Sequence, residues 1–264
     1  MTADRLLLWR HGRTSYNEQG RFQGLVDVPL DAVGLVQAQA AAQVLAARLA
    51  GVRPLRLVSS DLSRASTTAA ELSRLLGVAA EADPALREID AGAWEGLERR
   101  EIGRRWPADL DAWNRGDDIR VGGGERRSDA TRRTFEAIDR HARAMDGGAL
   151  VVVSHGAVLR GATALLLGLP ADAIRAFAVL GNAHWIEAVL ASDAGPGGVP
   201  ARWRLVAYNI AAPGAPADGE PGDTSDAPAR ALTDPAAARP GRAGADLEAA
   251  GVAGVDSPSR ENGG

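Results

Sequence analysis

Leu6-Leu-Leu-Trp-Arg-His-Gly12 decides the fold, because a matching stretch, Val151-Val-Val-Ser-His-Gly156, stands far along the chain. In each, a short, wholly apolar run gives way to a histidine and then a glycine. An apolar run without alternation predicts a strand buried on both faces, as in parallel sheets covered by helices. The glycine lets the backbone turn sharply with other atoms packed close. Ligands of open α/β sheets bind beyond the carboxyl ends of the strands, so both histidines are expected at one mouth.

The flanking sequence alternates in the same sense. Leu55-Arg-Leu-Val58 predicts another strand, and a helix over 61–76 follows at once and stops at Gly77. Residues 31–50 carry Leu35, Ala38, Ala42, Leu45 and Leu49 at helical spacing, with Gly51 as the stop. Further helices are expected over 126–145 and 158–167, and late strands over 184–190 and 202–208. No repeat of solenoid period interrupts the pattern. The expected architecture is α/β: a three-layer α/β/α sandwich with a mostly parallel central sheet.

Composition narrows the function. The chain has no cysteine, hence no disulfide, thiolate metal site or cysteine nucleophile. It has no apolar run long enough for a membrane span, and a cytoplasmic location is the default expectation. All 30 basic residues are arginine, so any phosphate held by a cationic side chain is held by a planar guanidinium fork. From residue 211 onward there is no aromatic side chain, half of the 14 prolines, and a net charge of −5. Residues 211–264 are therefore expected to be a disordered acidic tail, and 1–210 the folded domain. That body carries 25 acids and 26 arginines, so it is nearly neutral, which argues against a nucleic-acid partner.

Three strand ends aim His11, His155, Arg10 and, one turn into its helix, Arg64 at one place, together with a helix start. Guanidinium forks and free amides at a helix N-terminus suit phosphate. His184 alternates along a late strand and His141 sits on a helix, so both are read as structural. Metal catalysis is the rival reading for histidines near acids, but neither His-x-His nor His-Glu-x-x-His occurs. No metal or cofactor is expected.

Five motifs follow one another along the chain: Arg10-His-Gly12 with Thr14 and Asn17; Arg21-Phe-Gln-Gly24; Ser59-Ser-Asp-Leu-Ser-Arg-Ala65; Leu86-Arg-Glu88 with Gly92-Ala-Trp-Glu-Gly96; and Val153-Ser-His-Gly156. Together they resemble those of the histidine phosphatase superfamily, which has the phosphoglycerate mutase-like fold. The resemblance spans residues 5 to about 210. It implies His11 as nucleophile, Glu88 as proton donor, and Arg10, Arg64, Asn17 and His155 as holders of the phosphoryl group, with Gln23 near the substrate. It also implies a phosphomonoester hydrolase working through a phosphohistidine. Splitting one displacement into two suits an imidazole nucleophile with an acid for the leaving alkoxide.

Two positions depart from the family pattern. Arg13 stands where Glu or Gln is usual, where it either adds positive potential at the mouth or faces solvent. Arg126 stands where serine is usual after Gly122-Gly-Gly-Glu125. Only 67 positions separate Glu88 from His155, and the tyrosine that mutases carry after the acid is missing. That favours a phosphatase over a mutase-type phosphoryl transferase; a phospho-ligand binder without catalysis is the remaining alternative. Gly181-Asn-Ala-His-Trp185 and Arg202-Trp-Arg-Leu205 ahead of Asn209 resemble the glucosyl-3-phosphoglycerate phosphatase branch, with broad-specificity acid phosphatases close to it. The expected partner is a small phosphorylated metabolite, and a homodimer is left open.

Overall fold

A computed structural model of the protein describes residues 2–191 and 203–217. Strand β1 (Arg5–Arg10) lies inside a six-stranded sheet with β4 (Ala149–Ser154) on one side and β5 (Trp185–Leu190) on the other. The order is β3 (Ala80–Ala82), β2 (Leu55–Ser59), β4, β1, β5, β6 (Trp203–Ile210). Pairings from β3 to β1 are parallel; β5 and β6 join antiparallel. The mostly parallel sheet is as the sequence predicts.

The unbroken apolar runs are explained by the two layers that cover the sheet. Leu6, Leu8, Leu150 and Val152 point to one face, where they meet Ile138 of α6 (Arg127–Arg143) and Leu159 of α7 (Gly156–Leu166). Leu7, Trp9, Val151 and Val153 point to the other, against Leu45 of α2 (Ala32–Arg48) and Leu72 of α3 (Ser63–Leu76). Side chains alternate across a strand, so burial on both faces requires every position to be apolar.

Helix boundaries follow their caps and differ slightly from the expected ones. Asp31 caps α2 by accepting from Gly34 N at 2.7 Å. The helix ends at Arg48, three residues before Gly51, the expected stop. Gly77 ends α3 in the left-handed conformation at φ 65°, as expected. The start of α3 has no local cap; Asp27, from a distant loop, accepts from Ser63 N at 2.8 Å and Ser63 Oγ at 2.7 Å. Helix α7 begins at Gly156 rather than 158, because His155 already occupies the cap position. The strand expected over 202–208 runs from Trp203 to Ile210; Arg202 is outside the described residues.

Short elements without clear periodicity went unread: helix α1 (Ser15–Glu18), strand β3, and the pair α4 (Arg99–Arg105) and α5 (Pro107–Arg115). The last two shelter a third apolar cluster that includes Phe22, Trp94, Ile102 and Trp113. Its rings meet edge to face, Phe22 and Trp94 at 5.3 Å between centroids.

The described structure continues seven residues past Ile210. Residues 211–217 pack on the body: Ala212 is buried and Pro216 O accepts from Gln37 Nε2 at 3.1 Å. The rest of the expected disordered tail, 218–264, lies outside the described residues.

Candidate active site

His11 leaves the end of β1 with its amide bonded to Ser154 O at 3.0 Å, and His155 leaves the end of the neighbouring β4. Parallel pairing thus delivers both imidazoles side by side, 5.1 Å apart between ring centroids and inclined by 61°. The turn after His11 is possible only with glycine, since a Cβ on Gly12 would run into the Gly34 carbonyl of α2. His11 Nδ1 donates to Gly12 O at 2.7 Å. That bond fixes the tautomer and leaves Nε2 as the basic nitrogen.

Both imidazoles are held neutral. Burial pushes His11 well below its usual 6.5, and the charges of Arg64 and then Arg10 push in the same direction. Burial is also the main cause for His155, followed by Arg64 and His11. Arg64 is itself wholly buried, which brings it down to about 10, so it stays cationic at neutral pH.

Arg64 donates to Gly24 O and Val26 O, both at 2.8 Å, and its Nε lies 3.3 Å from His155 Nδ1. Those carbonyls come from the loop after Gln23. A Cβ at Gly24, where φ is 53°, would collide with the Glu95 carboxylate, which accepts from Leu25 N at 2.7 Å. The Arg21-Phe-Gln-Gly24 and Gly92-Ala-Trp-Glu-Gly96 motifs are therefore two sides of one contact. Arg10 donates to Leu180 O.

Glu88 follows a turn of 3-10 helix, Pro84–Leu86. Its Oε1 accepts from Ile89 N at 2.9 Å and its Oε2 from Ala157 N, in the first turn of α7, at 3.2 Å. Asn17 Oδ1 accepts from Thr14 N at 3.1 Å, and Gln23 Oε1 from Thr14 Oγ1 at 2.9 Å. Arg10, His11, Asn17, Gln23, Arg64 and Glu88 line one cleft. His155 stands beside it against His11, so all seven expected residues meet. His141, paired with Asp83 at 2.8 Å, and His184, 2.8 Å from Asn209 Oδ1, lie elsewhere.

Other contributors were not read from the sequence. Ser60 Oγ is 2.9 Å from His155 Nε2 and orients that ring. Arg133 donates to Ala85 O at 2.8 Å and Arg87 O at 3.1 Å, clamping the Glu88 loop. Phe22 and Trp113 wall the cleft. Trp113, three residues after Leu110 among the polar side chains of 109–115, carried a short apolar signal at helical spacing. Arg13 takes neither expected role: its Nε pairs with Asp31 Oδ2 at 2.8 Å and ties the nucleophile loop to the cap of α2. Arg126 leaves the start of α6 without a side-chain cap and donates to Asp118 O instead. Among the described residues no group of three or more His, Asp or Glu could hold a metal ion, and no helix is long and apolar enough to cross a membrane.

A neutral imidazole with two guanidiniums, a second imidazole and a carboxyl on one cleft can bind a phosphoryl group and transfer it. The family model of the histidine phosphatase superfamily (branch 1) matches residues 6–196. The chain belongs to the histidine phosphatase superfamily. Within that superfamily it is 38% identical over 224 residues to glucosyl-3-phosphoglycerate phosphatase of Mycolicibacterium vanbaalenii, covering 80% of this chain and 97% of that one. It is 36% identical to the enzyme of the same name from Mycobacterium tuberculosis, with the same shares covered. A solved mycobacterial glucosyl-3-phosphoglycerate phosphatase in complex with VO3 superposes with a TM-score of 0.69 at 34% identity, covering 79% of this chain and all of that one.

Proposed function

We propose that the protein is a phosphatase that hydrolyses a small phosphorylated metabolite, glucosyl-3-phosphoglycerate in the first instance, through a phosphohistidine on His11. The observation that carries this reading is the His11 Nδ1–Gly12 O bond in a cleft shared with Arg10 and Arg64. It aims a neutral Nε2 at the place where two guanidiniums would hold a phosphoryl group.

His11 Nε2 attacks phosphorus in line, and the bond to the leaving oxygen breaks as the N–P bond forms. Charge on the equatorial oxygens is met by the guanidiniums of Arg10 and Arg64, with His155 packed beside them. The oxygens of Asn17 and Gln23 are engaged by Thr14, so their N–H2 ends are left to donate to the phosphoryl group. Glu88 gives its proton to the leaving alkoxide. It then takes one from the water that cleaves the N–P bond and releases phosphate. The substrate assignment rests on the two mycobacterial relatives and on an alkoxide leaving group, which a general acid serves. A cytoplasmic location fits a chain without cysteine.

Rapid quenching with labelled substrate tests the mechanism. An acid-labile, base-stable phosphoenzyme is expected in the parent and none in His11→Ala, with turnover persisting in excess chelator and blocked by vanadate. Label on a serine, or activity abolished by chelation and restored by Mg2+ or Zn2+, would overturn it.

A further inference from the structure

Glu88 sits in a segment, 85–90, that one ion pair from elsewhere in the chain grips at both ends. The guanidinium of Arg133, in α6, makes five hydrogen bonds, one for each N–H it carries. Nη1 donates to Ala85 O at 2.8 Å and Arg87 O at 3.1 Å, and Nη2 reaches Glu88 O at 3.4 Å. Nε and Nη2 then meet the two oxygens of the Glu125 carboxylate at 3.0 and 2.8 Å. Glu125 closes the grip beyond the acid. Its Oε2 accepts from Asp90 N at 3.3 Å, and its own N donates to Asp90 O at 2.9 Å. Gly124 permits that approach, since a Cβ there would run into Asp90 O.

The grip is local to the acid. Among the described residues, no bond of Arg133 or Glu125 goes to Arg10, His11, Asn17, Gln23 or Arg64, which line the rest of the cleft. Ser154 Oγ, from buried β4, also donates to Leu86 O at 2.6 Å, so losing the pair loosens the segment without freeing it. A general acid is useful only within hydrogen-bond reach of the leaving oxygen. Misplacing a reacting group by about 1 Å can cost roughly 10²-fold in rate.

We propose that Arg133 and Glu125 are positioning residues for Glu88, and that their ion pair sets how well the enzyme cleaves esters of poorly leaving alkoxides. The inference rests on the phosphatase reading with Glu88 as the proton donor. Its test is single-turnover phosphorylation of the full-length protein by 3-phosphoglycerate and by p-nitrophenyl phosphate, whose leaving group needs little protonation. Arg133→Gln should slow the first roughly 10- to 10²-fold and leave the second nearly unchanged. Arg133→Lys, a milder change that keeps the cation but loses the planar fork, should show the same selectivity. Glu125→Ala should too, because Arg133 then loses two of its five partners. Vanadate affinity should hold in all three, since the phosphoryl-binding side chains keep their contacts. Adding Arg133→Gln to Glu88→Gln should cost little more, for no proton donor is left to be positioned. Equal losses on the two esters, weakened vanadate binding, or a full additional loss in the Glu88→Gln background would overturn the proposal. Failure of the phosphatase reading would appear separately, as no phosphoenzyme formed from either ester by the unsubstituted protein.

Discussion

Asn182 Nδ2 donates to Asn17 Oδ1 at 3.1 Å, and the same amide reaches the His11 carbonyl at 3.3 Å. A residue from the turn before β5 thus holds both the nucleophile loop and an amide expected on the phosphoryl group. The turn is fixed in its own right: Ala183 N donates to His11 O at 3.0 Å, and Asn209 Oδ1 of β6 accepts from Gly181 N at 2.9 Å.

Asn182 is a positioning residue. Asn182→Ala should lower kcat/KM by about tenfold, the worth of one lost bond of roughly 1.4 kcal/mol, with a fall in melting temperature of about 2–6 °C that leaves the protein folded at assay temperature. Vanadate affinity should fall in parallel, because the phosphoryl site itself is loosened. An unchanged vanadate affinity would show that Asn17 holds its position unaided.

Glu88 should matter in proportion to how badly the leaving group needs a proton. Glu88→Gln should slow single-turnover phosphorylation by 3-phosphoglycerate roughly 10²- to 10⁴-fold, and by p-nitrophenyl phosphate much less. Equal losses would make Glu88 a binding or structural residue. Glu125 is no substitute, for it pairs with Arg133 at 2.8 Å and lines a different surface cleft.

The buried histidines predict a pH effect on stability. His11 and His155 lie well below 6.5 in the folded protein, whereas unfolding returns them to about 6.5. Below that pH the unfolded chain binds protons that the folded chain does not, so stability is full above it and falls as acid is added. The slope is about 1.4 kcal/mol per pH unit for each histidine until its folded value is reached. Urea midpoints between pH 7.5 and 5.5 should show the fall, and His155→Asn should roughly halve it. A flat profile would mean that the imidazoles charge freely in the fold.

The segment 211–217 should contribute measurably. Pro216 O accepts from Gln37, whose Oε1 accepts from Arg13 N at 2.9 Å, so the segment braces the nucleophile loop. A chain ending at Ile210 should melt about 2–6 °C below one ending at Ala217, for one hydrogen bond and one buried alanine. Calorimetric scans of the two truncations make the comparison; coincident melting would show that the packing contributes nothing.

The sequence by itself determined the sheet and the chemistry at its edge. Runs such as Leu150–Val153 allow only strands buried on both faces, and parallel neighbours must bring the ends that carry His11 and His155 together. Arg10, Arg64 and Glu88 were legible because their motifs fix them close to those ends. Tertiary structure alone decided what supports them. The Asn182–Asn17 bond, the Arg133 clamp and the distant Asp27 cap join residues far apart in the chain, and no local periodicity encodes such pairs. Arg13 illustrates the difference: its residue type suggested potential at the mouth or solvent, but a carboxylate 18 positions away neutralises it at the helix cap. Likewise composition says nothing of the burial of Ala212 beside Ala41 and Leu45 of α2, since packing depends on what lies opposite and not on the segment's own polarity.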